Sequence, residues 1–315
     1  MCPQGHEGTR MQQPTLEYPK DLGLHLGGEW VTCGRDERPV LNPATGQTLG
    51  NLPLASDADL DHAIACAELG FRQWRSTAPA ARAATLSKAA RLLNERTEAL
   101  ATAATLEQGK PMAESRAEAN YVASPTRFYV QENVYDRFLE AFLAKTETVR
   151  LGSGVDEMTT MGPVANSRRI DAMEMLVADA RNVGARVAVG GERDESARGL
   201  FYRPTVLAHV PIAARAMNEE PFGPMALINS FRTVEEAVEQ ANRLPYGLAA
   251  FAFTENGRRQ LFLQENVECG LLGINTLALS AVDAPFGGVK ESGHGSEDGP
   301  EGLEAFLVTK TVHQG

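Results

Sequence analysis

The chain has 315 residues, with 30 Lys and Arg against 41 Asp and Glu for a formal net charge of −11, and 43% of its residues are hydrophobic. That length buries a sizeable core without disulfides or metals, and the acidic balance argues against a nucleic-acid partner or an anionic membrane surface, both of which attract basic patches. The cysteines, Cys2, Cys33, Cys66 and Cys269, stand far apart and form neither a C-x-x-C pair nor a disulfide framework, which points to a reducing cytoplasm.

Residues 1–21, rich in Gln, Pro and Gly and without an apolar block, read as a disordered leader. LHLGGEWV (Leu24 to Val31) and the extended run PVLNP (Pro39 to Pro43) predict a small hairpin. Ser56 precedes a capped amphipathic helix with Leu60, Ile64, Ala67 and Phe71 on one stripe. A second helix opens at Pro79 and carries Ala83, Leu86, Ala90, Leu93, Leu100 and Ala104 before Gly109 stops it, and a third begins near Pro111.

From Thr126 the period changes. RFYVQ predicts a strand and the residues from Asn133 to Val149 a helix, with Val134, Phe138, Phe142 and Thr146 on its stripe. Helices follow over 166–183, 233–242 and 257–267, and strands over 185–190, 248–254 and 270–275, so the second half is an α/β layer with a largely parallel sheet. The most apolar stretch, Gly270 to Val282, is shorter than the ~18 residues a membrane-spanning helix needs. The change of character falls at Ser124-Pro125, where the residue before proline is pushed out of the helical region.

Most signatures of catalysis are absent from the string: no G-x-G-x-x-G after a strand, no phosphate loop ending in Gly-Lys-Ser/Thr, no H-E-x-x-H and no G-x-S-x-G. Histidines 6, 25, 62, 209, 294 and 313 lack metal-ligand spacing, so no metal site is expected. None of the cysteines has an evident basic partner in sequence, and each reads as structural.

Four dense strings stand out: MNEEPFGP (Met217 to Pro224), NRLPYGLAA (Asn242 to Ala250), GINT (Gly273 to Thr276) and APFGGVKESGHG (Ala284 to Gly295). Taken singly, each reads as a tight turn with glycines permitting positive φ or close backbone approach. In this order they resemble landmarks of the aldehyde dehydrogenase superfamily, most closely its succinate-semialdehyde dehydrogenases. GGEWV, LNPATGQTLG, TLEQGKPMAES, SPTRFYVQENVYDRF and MGPVAN match in the same order, from Leu22 to the end.

The resemblance implies an α/β fold of that family: an N-terminal hairpin and helices, a mainly parallel catalytic-type domain and a C-terminal oligomerisation strand. It also implies that most of the coenzyme-binding core is missing, because strings that are distant in the family adjoin here at Val122 to Pro125. The expected divisions are a leader (1–21), the hairpin and helices (22–124), the α/β domain (125–275) and a C-terminal segment with the tail (276–315).

The family's nucleophilic cysteine position falls at Val122, which cannot attack a carbonyl, and its glutamate base and phosphate turn have no counterpart. By motif match, Glu220 corresponds to the acid that hydrogen-bonds the nicotinamide ribose, Phe222 to the ring beside the nicotinamide and Ser280 to a serine that contacts the substrate carboxylate. The cofactor implied is NAD or NADP, the substrate a small aldehyde such as succinic semialdehyde, and the partners are further subunits, joined through a tail rich in Leu307, Val308, Thr309 and Val312. Three readings stand at this point: an aldehyde dehydrogenase inactive as written, a non-catalytic partner of a full-length dehydrogenase, and a truncated gene product.

Overall fold

The computed structural model describes residues 18–19, 22–32, 34–117, 125–196 and 198–315. Cys2, Cys33, Val122, Ser124 and most of the expected leader lie outside them. The chain divides into two compact units, the first formed by the described residues of Met1–Asn42 and Gly46–Gln108, the second by Pro43–Thr45 and Gly109–Gly315.

The first unit begins with β1 (Leu24–Leu26) and β2 (Glu29–Val31), an antiparallel pair turning at Gly27 and Gly28, whose φ of 59° and 94° only glycine adopts cheaply. A second hairpin, β3 (Glu37–Leu41) and β4 (Thr48–Pro53), follows, so the single hairpin expected from sequence is corrected to two. The reason lies in the NPATG turn: the Asn42 carbonyl accepts the Gly46 N–H at 2.7 Å, reversing the chain just beyond the extended PVL run.

Helix α1 (Asp57–Ser76) starts at a capping box: the Ser56 hydroxyl accepts from the Asp59 N–H at 3.3 Å, and the Asp59 carboxylate accepts from the Ser56 N–H at 2.7 Å. Arg35 closes the group with an ion pair to Asp59. The Ser56 hydroxyl, then its N–H, then Arg35 hold the Asp59 carboxyl below the usual carboxylate range.

The helix expected to run unbroken from Pro79 to Gly109 is corrected to α2 (Pro79–Glu95) and α3 (Thr97–Gln108). Arg96 takes φ −107°, ψ 11°, its N–H is shared between the Leu92 and Leu93 carbonyls at 3.2 and 3.1 Å, and the Thr97 hydroxyl donates to the Asn94 carbonyl at 2.9 Å, so the ladder tightens at this residue. The expected apolar stripes are present but face solvent: Ile64 is 68% exposed, Leu86 63%, and Leu60, Phe71, Leu93 and Leu100 are exposed with them. The amphipathic pattern is present, and among the described residues of this unit nothing covers it.

The second unit opens with α4 (Met112–Ala117), which ends the described part of the third expected helix. Its core is a four-stranded sheet ordered β5 (Arg127–Gln131), β8 (Met225–Phe231), β7 (Thr205–Ala208) and β6 (Arg186–Val189); the first three run parallel and β6 is an antiparallel edge. Strands β7 and β8 are absent from the sequence expectations, although they are the buried centre of the sheet.

Successive side chains of a strand point to opposite faces. Val206, Ala208 and Ile228 accordingly pack with Val130 and with Tyr135 and Leu139 of α5 (Tyr135–Glu147), while Leu207 and Leu227 pack with Ile170, Met173, Leu176 and Val177 of α6 (Ser167–Asn182). The result is a helix on each face of a mainly parallel sheet. The Tyr135 hydroxyl donates to the Ile228 carbonyl at 3.0 Å, tying α5 to the central strand.

Beyond the sheet come α7 (Val234–Asn242), capped by Thr233, β9 (Tyr246–Gly247), β10 (Ala249–Ala252), α8 (Gly257–Asn266), capped by Asn256, β11 (Leu271–Ile274) and β12 (Val289–Lys290). Strands β10 and β11 pair in parallel across α8, and β9 pairs antiparallel with β12. After a 3₁₀ turn over Glu301–Phe306, residues 307–315 pair with no strand among the described residues, and Val308 is 93% exposed. No helix among the described residues is long and apolar enough to cross a membrane.

Candidate functional site

The turn bearing Glu220 and Phe222 is built by its neighbours. The Asn218 amide donates to the Ile212 and Ala214 carbonyls at 2.7 and 2.8 Å, while Arg243 donates to the Asn218 side chain at 2.6 Å and to the Met217 carbonyl at 2.9 Å. Arg215 forks onto Glu219 at 2.7 and 2.9 Å, and this guanidinium holds the Glu219 carboxyl below its usual range. Glu219 and Asn218 thus carry the scaffold, and Glu220 projects as an exposed acid beyond it.

Phe222 sits at φ 41°, in the left-handed region that a bulky residue rarely enters, and is 66% exposed. The Arg169 guanidinium lies 5.7 Å from its ring centroid and donates to the Pro221 carbonyl, so α6 fixes the ring from one side. Ser280 is exposed on the loop after β11. Glu220 and Phe222 share one turn, Ser280 stands on a different loop, and no hydrogen bond or ion pair among the described residues joins Glu220 to Ser280. The family nucleophile position, Val122, lies outside the described residues.

The other strings turn out to be structural fastenings. A Cβ built on Gly270 would lie 1.7 Å from the Gly287 carbonyl oxygen, so the P-F-G-G string packs backbone to backbone on the start of β11. Lys290 donates to the Asn242 and Leu244 carbonyls at 2.9 and 3.2 Å and pairs with Glu268, while the Ser292 hydroxyl accepts the Gly247 N–H at 2.9 Å. Asn275 of G-I-N-T accepts the Thr254 N–H at 2.8 Å and donates to the Thr254 carbonyl at 2.9 Å, clamping β10. Likewise a Cβ on Gly162 of MGPVAN would lie 1.8 Å from the Gly109 oxygen of the QGKP turn.

A dinucleotide needs a cradle for its pyrophosphate, supplied by a helix N-terminus or a glycine turn, and a cavity that buries most of it. A cavity of about 190 Å³ among the described residues of this unit is lined by Tyr129, His209, Asn229, Ser230 and Glu236 among others and includes none of Glu220, Phe222 and Ser280. Two exposed side chains on a turn do not meet those demands for NAD or NADP. Among the described residues no three of His, Cys, Asp and Glu are grouped to hold a metal.

One cysteine has a neighbour that the sequence reading did not name. The Sγ of Cys66 lies 3.6 Å from Nε2 of His62, one helical turn earlier on α1. The H-x-x-x-C spacing on a predicted helix is the signal that marks such a pair. Cys269 keeps its structural reading, donating from Sγ to the Leu271 carbonyl at 3.1 Å while burial pushes its thiol up.

The model of the aldehyde dehydrogenase family matches residues 30–125 and 120–312. A putative 4-(hydroxymethyl)benzenesulfonate dehydrogenase from Comamonas testosteroni is 45% identical over 190 residues, which are 60% of this chain and 39% of that protein. A probable NADP-dependent succinate-semialdehyde dehydrogenase from Sinorhizobium fredii is 39% identical over 202 residues, 64% of this chain and 41% of that protein. The chain thus spans about two fifths of the length of these curated relatives.

Among solved structures, succinate-semialdehyde dehydrogenase from Burkholderia pseudomallei superposes with a TM-score of 0.84 at 22% identity, covering 95% of this chain and 98% of that one. Betaine aldehyde dehydrogenase from Staphylococcus aureus superposes with a TM-score of 0.87 at 20% identity, covering 94% and 95%. At these identities the superpositions establish the fold.

Proposed function

Because the chain belongs to the aldehyde dehydrogenase family, we propose that it derives from an NAD(P)-dependent enzyme oxidising a semialdehyde of the succinic type, and that as written it turns over no aldehyde. The observation that carries this reading is the family match itself, which falls in two segments meeting at residues 120–125. The family's nucleophile position, Val122, lies within that junction.

Oxidation of this kind needs a thiolate, a base and a hydride acceptor within reach of one carbon. Cys269 is hydrogen-bonded to the backbone and its thiol is pushed up, the opposite of an activated nucleophile. Glu220, Phe222 and Ser280 are proposed as remnants of the cofactor and substrate contacts, the first two retained on their turn by the scaffold around Asn218 rather than by a ligand.

Purified protein incubated with succinic semialdehyde and either NAD or NADP is expected to form reduced nicotinamide no faster than a buffer control. Formation clearly above that control overturns the proposed inactivity.

A second reading rests on the tail. Residues 307–315 are exposed, carry Leu307, Val308 and Val312, and pair with no strand among the described residues, which suits strand addition to another subunit's sheet. In this reading the chain is a non-catalytic, cytoplasmic partner of a full-length dehydrogenase. Co-purification with such an enzyme, abolished by deleting 307–315, is the expected result; a clean monomer on sizing in the enzyme's presence refutes it.

A further inference from the structure

The pairing of Cys66 with His62 occurs at the mouth of a groove of about 480 Å³ between the β1–β2 turn and α1, lined by His25, Gly27, Ala63, Cys66, Gly70 and Gln73 among others. The thiol lies 3.6 Å from Nε2 and 3.9 Å from Nδ1 of His62, so in the tautomer that leaves Nε2 unprotonated the nearer nitrogen is the acceptor for its proton. A Cβ on Gly27 would sit 3.0 Å from the Cys66 sulfur and 3.4 Å from Nε2. The absent side chain is what lets the turn approach both groups this closely. Ala63, Ala67 and Gly70 line the groove from the helix beside the thiol, and His25 lines it from the hairpin.

We propose that Cys66 is a thiol-modification site that takes a low-molecular-weight disulfide into this groove as a mixed disulfide, with His62 as its base. His62 accepts the thiol proton, and the Cys66 sulfur attacks one sulfur of the incoming disulfide. A bond forms between that sulfur and Cys66 while the original sulfur–sulfur bond breaks. The released thiolate takes the proton back from His62 and leaves as a free thiol. Cys66 is oxidised, the departing half is reduced, and no further oxidant is needed.

Cys269 supplies an internal reference in the same molecule, since its sulfur is half-buried and committed to the Leu271 carbonyl. The full chain is exposed to glutathione disulfide, quenched in acid and mapped by peptide mass spectrometry, so that all its cysteines are read separately. Modification of Cys66 is expected to be about tenfold faster than that of Cys269. His62→Gln, at an exposed helix position that tolerates the change, is expected to slow Cys66 by about tenfold and to leave Cys269 unchanged, and added free imidazole is expected to restore the Cys66 rate. The proposal is overturned if Cys66 reacts no faster than Cys269, if Cys2 or Cys33 is modified ahead of it, or if His62→Gln leaves its rate unaltered.

Discussion

Replacing Gly270 by alanine is expected to cost about 3 kcal/mol of folding stability, at the upper end of what forcing one extra carbon into a packed site does. The added Cβ would have to share space with the Gly287 carbonyl oxygen, 1.7 Å away, and with the backbone of Gly287 and Gly288 behind it. Neither neighbour is a side chain that can swing aside. The Gly270 N–H also donates to the Gly247 carbonyl at 3.0 Å, so moving the residue back breaks the link to β9.

Gly257→Ala in the same unit is the matched control. A Cβ there meets nothing within 4 Å, and removing glycine at a compatible site stabilises by about 0.4–1 kcal/mol through the unfolded chain. Urea denaturation of both variants should give opposite signs. Equal midpoints would show that the P-F-G-G string is not held against β11 in solution.

Tyr202 carries the second large effect. Its side chain is 1% exposed in the cluster of Met173, Val177 and Leu207, and its hydroxyl has no hydrogen-bond partner among the described residues. Truncation to alanine is expected to cost about 3–5 kcal/mol, as for other large aromatic residues in cores. Phenylalanine keeps the ring and removes only the unpaired oxygen, so Tyr202→Phe should stay within about 1 kcal/mol of the parent.

The two variants also separate at high pH. Burial, reinforced by Glu174, pushes the Tyr202 hydroxyl from 10.0 up to about 12. The unfolded chain therefore ionises first: stability is undiminished below pH 10 and is lost as pH rises toward 12. Tyr202→Phe should reduce this alkaline loss, leaving the contribution of Tyr135, which burial also pushes up. An unchanged alkaline midpoint in that variant would show that Tyr202 titrates normally.

Much of the fold was legible because local chemistry and burial agree. Ser56, the acids after it and a stripe at spacings of three and four announced α1, and Asn166, Thr233 and Asn256 stand at the starts of the helices expected near them. Strands β7 and β8 escaped because the buried centre of a parallel sheet has no polar face. TVLA is four buried residues without alternation, and MALINSF alternates only at its end. The break at Arg96 escaped because apolar spacing continues across it.

At the candidate site, the strings identified the lineage, yet their residues mark fastenings more than contacts. Nothing in E-x-F-G-P distinguishes an acid that meets a ribose from one left in solvent; that difference is made by what surrounds the turn. The Cys66 and His62 pair was legible as a spacing, and the groove beside it was not, since that depends on a glycine turn nearly forty residues earlier packing against the helix.

The outward-facing apolar side chains of α1 and α2 have a calorimetric consequence. The heat capacity gained on unfolding comes from apolar surface newly wetted, about 12–15 cal/mol/K per residue for an ordinary domain, and denaturant slopes scale with the same area. Ile64, Leu86, Leu93 and their neighbours are wetted already in the folded chain. Melting of the first unit therefore registers as a shallow, low-enthalpy transition, and the sheet of the second unit supplies most of the heat-capacity step for the whole chain.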